Sequence, residues 1–153
     1  IQTTRGYMPK DFEVIQAIVG MWRKVGIEAE IEVYEVAKHF ELRAQDKLAP
    51  AAFYNWGNSI ADPNTSIGHA MFGPSPHSVW DTDDLDGMIG PLWAEKDEAA
   101  RIAGWKKVSR YIADNAYVLP LYQQVQPVIH KKELDFTPYV ANFILPATMK
   151  PKG

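Results

Sequence analysis

Apolar residues in the first third of the chain recur with two different periods. Phe12, Ile15, Ile18, Val19, Trp22 and Val25 return every three or four positions, the spacing that lines up side chains along one face of a helix. Asp11 is the expected N-cap of this helix, and Gly26 its closing C-cap glycine. Residues Glu28–Val33 then alternate acid and apolar with period two, as in a strand with one buried face. Ile1–Thr4 is a short β-prone stretch that stops at the turn-forming Arg5-Gly6-Tyr7-Met8-Pro9; it reads as the end of a strand that begins upstream. Strand, helix and strand in that order predict a βαβ unit with parallel strands and a right-handed crossover.

A second helix is expected over roughly Val36–Gln45. It leads through Lys47-Leu48-Ala49-Pro50 to the short apolar run Ala51–Trp56, the composition of a strand covered on both faces. Gly57–Gly73 reads as a long polar loop, and loops of that length in a compact domain are usually functional or mobile. Asp81, Asp83, Asp84 and Asp86 crowd a helix start that continues through Leu85, Met88 and Ile89, with Gly90-Pro91 expected to interrupt it. Glu98–Asn115 predicts a further helix with Ile102, Trp105, Val108 and Ile112 on its apolar face. Tyr117–Tyr122 and Val125–His130 read as extended segments. From Leu134 onward the prolines and the missing periodicity suggest a tail laid against something else. The alternation of strands and helices argues for a layered α/β domain with helices on a mainly parallel sheet.

Composition narrows the function classes. The 153 residues are 46% hydrophobic and 23% charged, a balance that fits one globular domain with a real core. A net charge of −3 with scattered Lys and Arg offers no basic stripe for a phosphate backbone or an anionic bilayer. No apolar run approaches the roughly 20 residues that span a membrane. With no cysteine, disulfides, Cys-zinc sites and thiol chemistry are excluded, and the compartment is left open. Five Trp, seven Tyr and six Phe make stacking surfaces for a ligand a reasonable expectation.

In open α/β sheets, ligands sit beyond the carboxyl ends of the strands. Two such ends stand out, Arg5-Gly6-Tyr7 after the first strand and Trp56-Gly57-Asn58-Ser59 after the Ala51–Trp56 strand. Arg5 offers a fork of donors to a carboxylate or phosphate, and Trp56 a flat apolar wall; a solvated Arg and a core Trp are the alternative on pattern alone. The acids at 81–86 are better explained by capping than by acid/base work. His69 and His77 with Asp81 match no zinc spacing. No nucleophile elbow and no phosphate-cradling glycine loop is present.

The order of motifs resembles a known family. Gly6-Tyr7-Met8-Pro9-Lys10-Asp11-Phe12-Glu13-Val14-Ile15-Gln16-Ala17-Ile18, then Lys24–Ile31, then Trp56 with Asp62-Pro63-Asn64, and finally Ile112–Tyr122 with its Pro120-Leu121-Tyr122, are similar to segments of the family 5 extracellular solute-binding proteins. These are the oligopeptide, dipeptide and nickel binders of ABC importers. The resemblance implies a type II periplasmic-binding-protein lobe: residues 1–132 a C-terminal ligand-binding lobe, N-terminally truncated, and 133–153 a tail returning to a missing first lobe. It implies a binding protein rather than an enzyme, without cofactor or metal, whose partners are a small solute, the permease and that first lobe, in the periplasm or another extracytoplasmic, membrane-tethered setting. No nucleic acid is implied.

By the same resemblance the candidate ligand-binding residues are Arg5, Tyr7, Tyr54, Trp56, Asn58, Ser59 and Asp62. Arg5 stands where dipeptide-binding relatives grip the ligand carboxylate. Those relatives carry an Asp for the free amino terminus three residues after the Trp, where this chain has Ser59, and a neutral hydroxyl does not offset a buried ammonium. Asp62 could compensate in part, although an Asp-Pro-Asn turn more often caps itself. Sugars, opines, modified peptides or a chelated metal therefore stay open as ligands. Two other classes compete: a hydrolase using acids of the 57–86 region, which lacks nucleophile-base spacing, and a ligand-sensing regulatory domain, which would need a DNA-binding segment.

Overall fold

The computed structural model describes residues 1–58, 60–125, 127–137 and 144–152. Two neighbouring cores organise the chain. In the first, β1 (Gln2–Thr4) pairs in parallel with β2 (Glu32–Tyr34), Thr3 opposite Val33. On its other side β1 meets the chain at Ala52 through a parallel bridge, with Gln2 N–H donating to the Ala51 carbonyl at 2.8 Å and Phe53 N–H to the Gln2 carbonyl at 2.8 Å. β1 is therefore the central strand, and all three of its residues are buried. Helix α1 (Asp11–Lys24) packs Ile15, Ile18 and Val19 against Ile1, Ile31 and Phe53. Helix α2 (Val36–Ala44) lies with His39 in contact with Gln2. Residue alternation explains the division, since Gln2 and Thr3 point to opposite faces of the strand.

The second core is helical. Here α3 (Ile67–Ala70), α4 (Asp83–Ile89), a 3₁₀ turn over Gly90–Trp93 and α5 (Glu98–Asp114) bury Met71, Leu85, Ile89, Leu92, Trp105 and Val108 together. A short antiparallel pair, β3 (Leu134–Asp135) with β4 (Lys150–Pro151), closes the final segment on itself.

Helix ends obey local rules. Gly26 at φ 83° sits in the left-handed region and closes α1 with bonds from Gly26 N–H to the Arg23 carbonyl (3.1 Å) and Ile27 N–H to the Trp22 carbonyl (3.0 Å), a Schellman motif. The same pair of bonds ends α2 through Asp46 (φ 51°) and α5 through Ala116 (φ 53°), where no glycine is available.

Several expectations are corrected. Asp11 is not the N-cap of α1: Lys10 holds that position at φ 63° with no side-chain bond, and Asp11 turns back to the preceding loop. The second strand is shorter than Glu28–Val33, and the 51–56 run forms only the bridge at Ala52. The 57–73 stretch is not a plain loop. Asp62 caps a 3₁₀ turn over Pro63–Thr65 by accepting from Asn64 N–H at 2.9 Å, and α3 follows. The cap of α4 is Thr82, whose hydroxyl accepts from Leu85 N–H at 3.2 Å, so the aspartates lie in the first turn rather than at the cap. Gly90-Pro91 does end the α-helix at Ile89. Ile102 is 45% exposed, because it stands about a quarter-turn away from the face formed by Trp105, Val108 and Ile112. Tyr117–Tyr122 forms no strand, nor do the described residues of Val125–His130.

Candidate functional site

The loop after β1 is organised by one buried carboxylate. Asp11, 2% exposed, accepts from the backbone N–H groups of Gly6 (3.0 Å), Tyr7 (3.0 Å) and Met8 (3.2 Å) and from the Thr4 hydroxyl (2.8 Å). Gly6, at φ 96°, supplies the left-handed turn that brings these donors round. Burial pushes the Asp11 carboxyl upward, but the bonds from Gly6, Thr4, Met8 and Phe12 outweigh it and hold the group below the usual carboxylate range. The turn is thus clamped by charge-assisted hydrogen bonds.

That clamp sets the direction of Arg5 and Tyr7. Arg5 is exposed, lies with its guanidinium carbon 4.1 Å from the centre of the Phe12 ring, and has no ion-pair partner among the described residues. A shallow depression opens beside it, lined by residues 5–11 and Glu13. Tyr7 meets Phe40 edge-on at 5.2 Å, and Phe40 lies 6.4 Å from Tyr54. Tyr54 stacks on His39 at 4.4 Å and donates its hydroxyl to the His39 carbonyl at 3.3 Å. Burial pushes the Tyr54 phenol up to about 12, with the Arg43 charge opposing and Tyr7 adding. Arg5 and Tyr7 thus follow the end of β1, and Tyr54 follows the adjacent parallel segment at Ala52, two residues before the Trp56–Ser59 end that the strand-end rule points to.

The remaining candidates form a second group around the capped turn at Pro63. Trp56 is half-buried against the helical core, and its Nε1 is buried without a hydrogen-bond partner; the structure gives it a packing role. Asn58 is exposed, and its Oδ1 is within 2.9 Å of the Thr65 hydroxyl, which also reaches the Asp62 carbonyl at 2.8 Å and donates to one of them at a time. The Asp62 carboxylate is bonded by Asn64 N–H and by the Arg101 guanidinium; the Asn64 bond first, then Arg101, keep it below the usual carboxylate range against partial desolvation. Ser59 lies outside the described residues.

The acids and histidines weighed for catalysis or metal are engaged locally. Asp86 accepts from Gly73 N–H at 2.7 Å and Asp84 from the Tyr111 hydroxyl at 2.8 Å. Asp81 is pushed upward by burial and then by the neighbouring Asp86 charge. His69 and His77 meet edge to face at 5.7 Å, with His69 Nδ1 3.4 Å from the Ser75 hydroxyl and His77 Nδ1 3.3 Å from Arg43. Among the described residues no three acids or histidines converge as metal ligands.

The sequence reading passed over three contributors: Asp11 as a loop clamp, and His39 and Phe40 as the aromatic floor beneath Tyr7 and Tyr54. Asp11, three residues beyond Met8 in a Gly-Tyr-Met-Pro turn, was the available signal. Nothing in the helical pattern distinguishes a buried His39 from a solvated one.

No family model matches the chain. It is 26% identical over 120 residues to the dipeptide-binding protein of Escherichia coli (strain K12), covering 75% of this chain and 22% of that protein. In fold it is similar to the periplasmic binding protein DppA from Helicobacter pylori, associated with an ABC transporter and solved with the peptide STSA (TM-score 0.60, 21% identity, 75% of this chain and 23% of that one). It is also similar to HbpA2 from Haemophilus parasuis (TM-score 0.60, 17% identity, 75% of this chain and 25% of that one). The chain thus spans about a quarter of the length of the relatives it matches. These likenesses agree with the resemblance to the family 5 extracellular solute-binding proteins, and the fold is that of an α/β lobe of the type II periplasmic-binding-protein kind.

Proposed function

We propose that the chain supplies one wall of a solute-capture cleft in an ABC importer's binding protein, and that it acts by binding alone. The observation that carries this reading is Arg5: an exposed guanidinium, without an ion-pair partner among the described residues, on a loop clamped by Asp11, with Tyr7 and Tyr54 also at the strand ends. A guanidinium on a clamped loop suits an anionic group on a ligand, and the aromatic rings at the strand ends suit its apolar part. Residues 1–132 would form the ligand lobe and 133–153 a tail reaching a first lobe, with closure of the two lobes read by a permease in the periplasm. Exposed Leu119, Val125 and Ile129 are consistent with a surface that another lobe covers.

The ligand we infer has an anionic or hydrogen-bonding end and does not depend on a free α-ammonium. Ser59 replaces the acid of peptide-binding relatives, and Asp62 already bonds Asn64 and Arg101. Opine-like conjugates, sugars and modified peptides fit this requirement better than ordinary peptides.

A thermal-shift screen of the two-lobed protein tests it, since a ligand bound by the native state alone raises the melting temperature. The probes are di- and tripeptides, oligosaccharides, opine-like amino-acid conjugates and nickel–histidine. Stabilisation by an anionic solute without an α-ammonium is expected. Stabilisation by ordinary peptides would overturn the ligand inference while leaving solute capture intact, and turnover of any probe would overturn the binding-only reading.

A further inference from the structure

His39 is fully buried on α2 and is held by partners that fix its protonation state. Gln2 opens β1. Its Oε1 accepts from Ala49 N–H at 3.0 Å. A backbone N–H only donates, so this contact decides which end of the Gln2 amide is oxygen. The amide nitrogen then faces His39 Nδ1 at 2.9 Å, and because that nitrogen too only donates, Nδ1 must be the accepting, unprotonated nitrogen of a neutral ring. The proton sits on Nε2, which is buried toward the Phe53 backbone without a full hydrogen bond.

We infer that His39 is an acid-operated latch on the strand end that carries Tyr54: neutral, it seats between Gln2 and Tyr54, and a second proton breaks that seat. Protonation would place an N–H on Nδ1 against the Gln2 amide N–H. Turning the amide over relieves this only by setting its nitrogen against Ala49 N–H. With the ring seated, either amide orientation therefore leaves two donors facing each other, at the buried His39 contact or at the part-buried Ala49 contact. The ring stacks on Tyr54 with 23° between planes, and the Tyr54 hydroxyl is bonded to the His39 carbonyl, so displacement of the ring is transmitted to Tyr54.

The Phe53 backbone favours a positive charge on the ring, but burial outweighs it and the groups on the packed elements add no negative charge. α2 presents Arg43, a like charge one turn on. The 51–54 segment presents Tyr54, neutral through the physiological range. β1 presents the uncharged Gln2. His77, from the turn after α3, contacts Arg43. Among the described residues no carboxylate hydrogen-bonds the ring. Burial first, with Arg43 adding, holds His39 below the ordinary imidazole range. A group depressed in this way gives stability that is fully present above the unfolded imidazole value of about 6.5 and is lost as pH falls below it.

The latch can be tested without a ligand, so its failure is separate from failure of the proposed function. Imidazole ¹⁵N NMR of the unmodified chain should show the Nε2–H tautomer at pH 7.5, a His39 midpoint below the usual imidazole range, and Tyr54 ring signals that move with it. An Nδ1–H tautomer, a midpoint at or above about 6.5, or Tyr54 signals that stay still would overturn the proposal. Gln2→Glu provides an orthogonal check: its carboxylate still accepts from Ala49 N–H and can also accept from a protonated Nδ1. That variant should move the His39 midpoint above the wild-type value and abolish the drop in urea midpoint between pH 7.5 and 5. A variant that keeps the wild-type midpoint and the same drop would show that the Gln2 amide does not set the protonation state.

Discussion

Replacing Asp11 with Ala is the sharpest test of how the strand-end loop is held. The side chain accepts four bonds from residues 4–8; those from Thr4 (2.8 Å) and Met8 (3.2 Å) are buried, and those from Gly6 and Tyr7 (both 3.0 Å) are partly open to water. Alanine leaves two donors unpaired in the interior and two that water can rescue. At about 1–3 kcal/mol for each buried donor without a partner, the substitution costs about 3–5 kcal/mol. Asp11→Asn keeps one accepting oxygen but turns an NH₂ toward the same donors and removes the charge, so about 2 kcal/mol is expected.

The sign of the pH dependence follows from the depressed Asp11 carboxyl. Its contribution is present above the unfolded carboxyl value of about 3.9 and fades as pH falls through the lower folded value. The stability gap between wild type and Asp11→Asn should therefore be widest near neutrality and narrow below about pH 4. Urea unfolding at pH 7 and pH 3, with amide exchange of Gly6–Met8 at pH 7, measures both parts. A loss under about 1 kcal/mol for Asp11→Ala, or unchanged protection of the three amides, would refute the clamp.

Three further outcomes follow. Ala116→Gly should raise stability by about 1 kcal/mol in urea titration, since Ala116 sits at φ 53° in a Schellman position that glycine occupies without a Cβ penalty; a loss would mean that the side chain is needed. Gly104→Ala should lower stability by about 1 kcal/mol despite better helix propensity, because the added methyl overlaps Leu92 in the helical core; a raised midpoint would show that Leu92 gives way freely. Arg5→Ala should weaken an anionic solute by about 1.5–3 kcal/mol in calorimetry of the two-lobed protein, and an unchanged affinity would remove Arg5 from the site.

Periodicity made the regular elements legible. Helix α1, α2, α5 and the parallel pairing of Ile1–Thr4 with the strand after Gly26 follow from spacings of three to four and of two. The errors lie in side-chain contacts that periodicity does not report. Asp11 turns back to residues 4–8, and Thr82 rather than an aspartate caps α4. Arg101 stands on the buried face of α5, four residues before Trp105, and its charge is answered by Asp62 from a turn 39 residues away. A charged residue at an apolar-face position deflects a hydrophobicity reading toward the neighbouring Ile102. The candidate site divides in the same way. Strand-end logic pointed to Arg5 and Tyr7 and, on the second strand, to Trp56, whereas Trp56 spends its surface on packing, Asp62 on capping, and Tyr54, two residues earlier, lies over His39.

Both supports beneath the strand ends are buried polar groups rather than apolar ones, and this bears on how such a lobe could work. An apolar contact tolerates sliding, whereas a carboxylate with five donors and a neutral imidazole between an amide and a stacked phenol each have one satisfactory arrangement. The backbone that carries Arg5 and Tyr7, and the ring of Tyr54, are therefore held before any ligand arrives, which lowers the ordering cost of binding. The depression beside Arg5 is open to solvent, so the guanidinium alone would hold an anion weakly against water. In the proposed cleft, affinity would come when a second surface closes over this preformed corner and removes that water, and a solute that met only this wall would leave quickly.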